Sequence, residues 1–167
     1  LKKNDEYTIE IKYQVCNPVG GLYFGGPTPE VPNRGLWMCS DHETQRARYW
    51  IPCFDHSNVR TTVDVFITHK NKFTALGPGR LVSEQKSHLK GYRISHWSLH
   101  LPCPSYLLCV AVGDFVKWDG GTYKGKPVAA FAPKPITKVD LERNFKPTVE
   151  MIALLSQTLS ELPWDKY

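Results

Sequence analysis

Long apolar runs are missing from this 167-residue chain. The longest, Tyr106 to Val112, falls far short of the ~20 residues that a membrane-spanning helix needs, which excludes a helical span. No apolar block follows Leu1-Lys2-Lys3-Asn4-Asp5, so no secretory leader is read. No Met opens the chain, which reads as processed or cut from something longer. Cysteine is sparse and never spaced C-x-x-C, and a zinc ribbon or a thioredoxin-type redox site needs that spacing. The five thiols, at 16, 39, 53, 103 and 109, read instead as free and mostly buried, and so as residents of the cytoplasm or another intracellular, reducing compartment. Gly-x-Ser-x-Gly, a Walker sequence and a G-x-G-x-x-G after a strand are all lacking, which removes the serine-elbow and nucleotide-loop readings. No block of one charge occurs either. Lys and Arg total 21 against 16 Asp and Glu, but they are scattered, so they read as solvated loops and not as a nucleic-acid surface.

What is present is aromatic and strand-like. Five Trp, eight Tyr and seven Phe exclude a disordered chain. Tyr7, Ile9, Ile11, Tyr13 and Val15 alternate with polar residues, which predicts a strand over 6–15. Further strands are predicted near 61–68, 90–101, 106–115 and 122–132, with short ones at Leu22-Tyr23-Phe24 and Leu36 to Cys39. The stretch Tyr106 to Gly113 reads as a strand buried on both faces. Gly77-Pro78-Gly79 and Trp118-Asp119-Gly120-Gly121-Thr122 read as hairpin turns. After Pro133 and Pro135 the period changes. Phe145, Val149, Ile152, Leu155 and Leu159 recur at threes and fours, which predicts an amphipathic helix over 145–160. The predicted class is therefore mainly β, an antiparallel multi-stranded saddle or sandwich, followed by one C-terminal helix. A lone helix after so many strands reads as the start of a second domain that this chain lacks.

Chemistry is harder to find. His96 and His100 have the H-x-x-x-H spacing of a zinc-binding helix, but Trp97 stands where a general-base Glu is required. On a strand, residues four apart lie ~13 Å from each other, too far to share one zinc. The two read as strand-surface histidines. The densest polar cluster runs from Ser40 to Arg48 and precedes Trp50-Ile51-Pro52-Cys53-Phe54-Asp55. Composition alone makes it a solvated loop with an Arg48–Asp55 pair.

Glu43-x-x-x-x-Arg48-x-x-x-Pro52-Cys53-Phe54-Asp55 resembles the E-x-x-x-x-R-x-x-F-P-C-F-D signature of the aminopeptidase N family of zinc metallopeptidases. Gly21-Leu22-Tyr23, Ala75-Leu76-Gly77-Pro78-Gly79, Ser105-Tyr106-Leu107 with Val112-Gly113-Asp114-Phe115, and Pro163-Trp164-Asp165-Lys166-Tyr167 resemble other family pieces, in the family's order. The resemblance implies an N-terminal β domain over 1–134, incomplete at its start. Over 135–167 it implies the linker and first helix of a thermolysin-like catalytic domain. The zinc-binding H-E-x-x-H and the G-x-M-E-N loop of the family are not in this sequence, so the resemblance gives the chain no metal ligand and no catalytic residue. It implies zinc in the full-length protein, and an isolated chain that is inactive. It also implies that Glu43 helps bind the free α-ammonium of a peptide substrate, with Asp41 lining the pocket for the first side chain. No nucleic acid or membrane partner is implied, and the apolar face of the terminal helix invites self-association. The alternative is a non-catalytic interaction scaffold, as in the aminopeptidase-like subunit of the general transcription machinery. That subunit carries a W-F-P-C sequence similar to Trp50-Ile51-Pro52-Cys53.

Overall fold

The computed structural model describes residues 5–167. Among the described residues, nine strands form three antiparallel sheets: β1 (Leu22–Gly25), β2 (Trp37–Ser40), β3 (Arg60–Lys70), β4 (Thr74–Leu76), β5 (Arg80–Lys86), β6 (Tyr92–Pro104), β7 (Ala111–Gly113), β8 (Phe115–Tyr123) and β9 (Lys126–Pro133). Two helices follow, α1 (Lys138–Phe145) and α2 (Thr148–Thr158). The first sheet has the order β1-β2-β7-β4, the second β3-β6-β5, and the third is the β8-β9 hairpin. The mainly β, antiparallel class with a helical C-terminus is as the periodicity predicts.

Several local expectations are corrected. Residues 5–16 form no strand, and Tyr7, Ile9, Ile11 and Tyr13 are at least half exposed. Alternation fits a strand to a surface, but a strand exists only where a neighbour supplies the ladder. Gly77-Pro78-Gly79 is not a hairpin turn: β4 pairs with β7 while β5 pairs with β6, so the glycines carry the chain from one sheet to the next. Gly79 has φ +67°, and a Cβ there would meet the Ser98 carbonyl oxygen at 2.0 Å. The second hairpin turns at Lys124-Gly125, where both φ values are positive (48° and 78°), as a two-residue type I′ loop demands. Asp119 to Gly121 is a bulge inside β8 instead. The apolar run Tyr106 to Gly113 opens with a 3₁₀ turn over Ser105–Leu107, closed by Leu108 N–H to Ser105 O at 3.1 Å. Only its end, β7, is a strand, held between β2 and β4. The thiols are free, as read, but Cys16, Cys53 and Cys109 are exposed and Cys103 is the buried one.

The helical segment starts earlier than the apolar spacing suggests and divides at Lys146-Pro147. Pro147 lacks the N–H that a continuous helix needs. Leu141 of α1 packs with Trp118, Ala130 and Ala132, so the helical segment rests on the β8-β9 hairpin. Among the described residues, no helix is long and apolar enough to cross a membrane.

Candidate functional site

The loop after β2 carries Asp41 and Glu43, and its shape is fixed by pieces from distant parts of the chain. At its root, Asp41 N–H donates to the Gly21 carbonyl at 3.1 Å. Gly21 itself has φ +79°, and a Cβ there would sit 2.3 Å from the Arg46 carbonyl oxygen, so only glycine lets the two segments meet. Ser40 N–H bonds the Val110 carbonyl, and Val110 N–H returns to the Ser40 hydroxyl, both at 2.8 Å.

His42 is the keystone, 1% exposed. The Trp50 indole N–H can only donate, and it lies 2.7 Å from His42 Nε2, so Nε2 accepts. His42 Nδ1 then carries the proton and donates to the Ser105 carbonyl at 3.2 Å. Burial pushes the imidazole pKa down, partly offset by the Ser105 bond and by the charges of Asp55 and Asp41. The neutral ring is the form that fits.

Arg48 and Asp55 form the expected pair. Arg48 meets Asp55 Oδ2 through its backbone N–H at 3.1 Å and through Nε at 3.2 Å, and its Nη2 donates to the Asp55 carbonyl at 2.7 Å. The other carboxylate oxygen of Asp55 accepts from the Ser105 hydroxyl. Asp55 is buried, which by itself raises its pKa; the bonds from Ser105 and Arg48 outweigh this and hold it below the usual carboxylate range. Arg46 donates to the Tyr23 hydroxyl at 2.9 Å and lies 4.0 Å from the Asp41 carboxylate.

Glu43 stands apart from this pairing. Its N–H is taken by Asp41 Oδ1 at 3.2 Å, but its carboxylate has no hydrogen-bond or ion-pair partner among the described residues. It is exposed, on the edge of an open hollow of about 500 Å³ lined also by Thr44, Gln45, Arg46, Arg48 and Tyr49. The two sequence-predicted residues therefore lie together on one held loop. What sequence reasoning missed is the holding: His42, Trp50 and Ser105. The signal was partly there, because Ser105 heads the Ser105-Tyr106-Leu107 piece and Trp50 stands eight residues after His42.

His96 and His100 do lie on a strand, β6. His96 Nε2 is 2.8 Å from Asp64 Oδ1, and His100 Nε2 is 3.3 Å from Ser98 Oγ. Among the described residues, no three His, Cys, Asp or Glu side chains come together in a set that could hold a metal ion. The residues present do not fit a zinc, and none is assigned to them.

Known proteins resemble this chain over most of its length. A family model described as the peptidase M1 N-terminal domain matches residues 1–107. The chain is 30% identical to glutamyl aminopeptidase of Mus musculus over 154 residues, which is 91% of this chain and 15% of that protein. It is 23% identical to leucine aminopeptidase 2 of Aspergillus fumigatus over 167 residues, 100% of this chain and 26% of that protein. It is also 27% identical to transcription initiation factor TFIID subunit 2 of Danio rerio over 119 residues, 68% of this chain and 10% of that protein. The chain thus spans only a minor part of the curated relatives it matches. The residues that clasp the loop, from Gly21 through Asp55 to Ser105, all fall inside the matched region, and on that match the chain belongs to the peptidase M1 N-terminal domain family.

Proposed function

We propose that this chain is the β wall of a zinc-dependent aminopeptidase, and that Glu43 binds the free α-ammonium of the peptide substrate. The observation that carries the reading is the isolation of the Glu43 carboxylate. Arg48 is matched to Asp55, and Arg46 is shared between Tyr23 and Asp41, while Glu43 is left facing the hollow. An unmatched carboxylate on a rigid loop is a receptor for a cation, and a peptide offers one at its N-terminus but not along its interior backbone. Exopeptidase selectivity follows from that difference. The zinc that supplies the hydrolytic chemistry is held by other parts of the full-length protein.

Asp41 lies beside this site, and we assign it to the first side chain of the substrate. Its charge favours a basic residue, and Arg46 at 4.0 Å weakens that preference. The names of the relatives cite different residues, glutamyl and leucine, so the local charges here are the better guide.

The test is Glu43→Gln in the full-length protein. A charge-assisted hydrogen bond is worth about 1.5–3 kcal/mol, so kcat/KM for free-amine substrates falls by roughly one to two orders of magnitude. Turnover of N-acetylated peptides and thermal stability stay nearly constant. Unchanged kcat/KM on aminoacyl-nitroanilides sinks the amine role, and an unfolded variant makes Glu43 structural. The similarity to TFIID subunit 2 favours a second reading, a non-catalytic scaffold. A full-length protein that neither retains zinc after dialysis nor hydrolyses any aminoacyl-nitroanilide would establish it.

A further inference from the structure

Beyond α2 the chain turns back onto the sheets, where two lysines meet it and it supplies a third. Lys124 pairs with Glu161, and Lys126 donates to the Leu162 carbonyl. Tyr167 lies along β9: its N–H bonds Pro127 O at 3.0 Å, and its carbonyl accepts from Ala129 N–H at 3.1 Å. The third contact is of another kind. The Lys166 ammonium lies 4.3 Å from the Trp97 ring centroid and donates to the carbonyls of Gly77, at 2.6 Å, and of Gly79. Those carbonyls belong to the crossover between β4 and β5, where the chain leaves one sheet for the next. The corner cannot yield easily. A Cβ on Gly77 would lie 2.5 Å from Trp97, and Gly79 is pressed on the Ser98 backbone.

We propose that Lys166 is a positioning residue: its ammonium pins the Glu161–Tyr167 segment, and through it the helical segment, to the crossover that joins the two sheets. Two carbonyl dipoles and an aromatic face make a cradle for a cation, and no other side chain in the segment can fill all three. The contact ties three bodies at one point: the four-stranded sheet, the three-stranded sheet, and the hairpin on which α1 rests. Its bearing on substrate rests on the function proposed above, because the loop of Glu43 leaves the same four-stranded sheet through β2. The latch itself does not depend on that function. Burial drives the ammonium pKa down to about 8, with Cys109 and Asp165 partly offsetting it.

The experiment is NMR on the 167-residue chain, so that a silent Glu43→Gln in the full-length enzyme leaves it untouched. In a side-chain titration one lysine Cε titrates near pH 8, and Lys166→Met removes that resonance. In the same variant the amides of Ala129 and Tyr167 lose at least about tenfold of their hydrogen-exchange protection, while Val65 and Ile67 in β3 keep theirs. Lys166→Arg, which keeps a cation over Trp97, restores part of it. Equal protection in Lys166→Met and wild type overturns the latch. Should Lys166→Met fail to fold, exchange in the wild-type chain decides: amides of Ala129 and Tyr167 that exchange as fast as those of an unfolded chain overturn the proposal as well.

Discussion

His42 makes two hydrogen bonds that only the neutral imidazole can make together. A second proton on Nε2 would face the Trp50 N–H, donor against donor, inside a site 1% exposed. Its folded pKa is therefore below the unfolded value, as burial dictates. The sign follows from linkage. Above about pH 6.5 the ring is neutral in both states and its contribution is complete. As pH falls from there through the folded pKa, the unfolded chain takes up the proton first and the contribution is lost. Thermal unfolding between pH 7.5 and 5 should thus show a falling Tm in the wild type. His42→Gln, whose carboxamide oxygen can still accept from Trp50, should show a lower Tm at pH 7.5 and a flatter slope. An equal slope in both would remove His42 from the acid response. At this scale the sequence was half legible. Arg48 and Asp55 could be paired from their signs and spacing, whereas His42 depends on a carbonyl 63 residues away, which no local pattern reports.

Elements were legible where a residue pattern coincides with a hydrogen-bonded neighbour. In β3, Val63, Val65 and Ile67 alternate as predicted, and β6 lies opposite them in register. Residues 5–16 alternate as cleanly and form no strand, because period two describes a face and not a partner. Turns failed for a related reason. Asp119-Gly120-Gly121 has the stronger local hairpin signal, but Lys124-Gly125 closes the register, pairing Tyr123 with Lys126. Helix α1 was missed because Leu141 is its one buried residue, too little for a visible apolar stripe. Its start was nonetheless written in the chain. The Thr137 hydroxyl accepts from Asp140 N–H at 3.2 Å, and the Asp140 carboxylate answers to Thr137 N–H at 2.9 Å. Thr137→Ala should cost about 1 kcal/mol in chemical denaturation, with helical content reduced and the strands intact. A loss below a few tenths would mean that packing on Trp118 alone sets the start of the helix. In α2, Ile152 of the predicted stripe is buried whereas Leu155 faces solvent, as do Met151 and Leu154, which lie outside that stripe.

The whole molecule is three sheets sewn together by strands that come from unequal distances along the chain. The β8-β9 hairpin closes a two-residue loop, and β3 meets β6 across about 20 residues at Lys70 and Tyr92. The four-stranded sheet is different. Its β7 pairs with β2 through Trp37 and Gly113, about 75 residues apart, and also separates β2 from β4. Three residues, Ala111 to Gly113, therefore hold both halves of that sheet together. This placement sets a timetable for folding. Local ladders can form while the chain is still open, but the sheet that carries Glu43 has no centre until the most distant partner arrives, and the entropy of that closure must be met first. Pulse-labelled exchange during refolding should find the amides of β3 and β6 protected before those of Ala111 and Gly113. Simultaneous protection would make the assembly a single event. In the ordered case the loop of Glu43 is the last part of the sheets to take shape, and a chain halted before that step would have a sound scaffold around an unformed Glu43 loop.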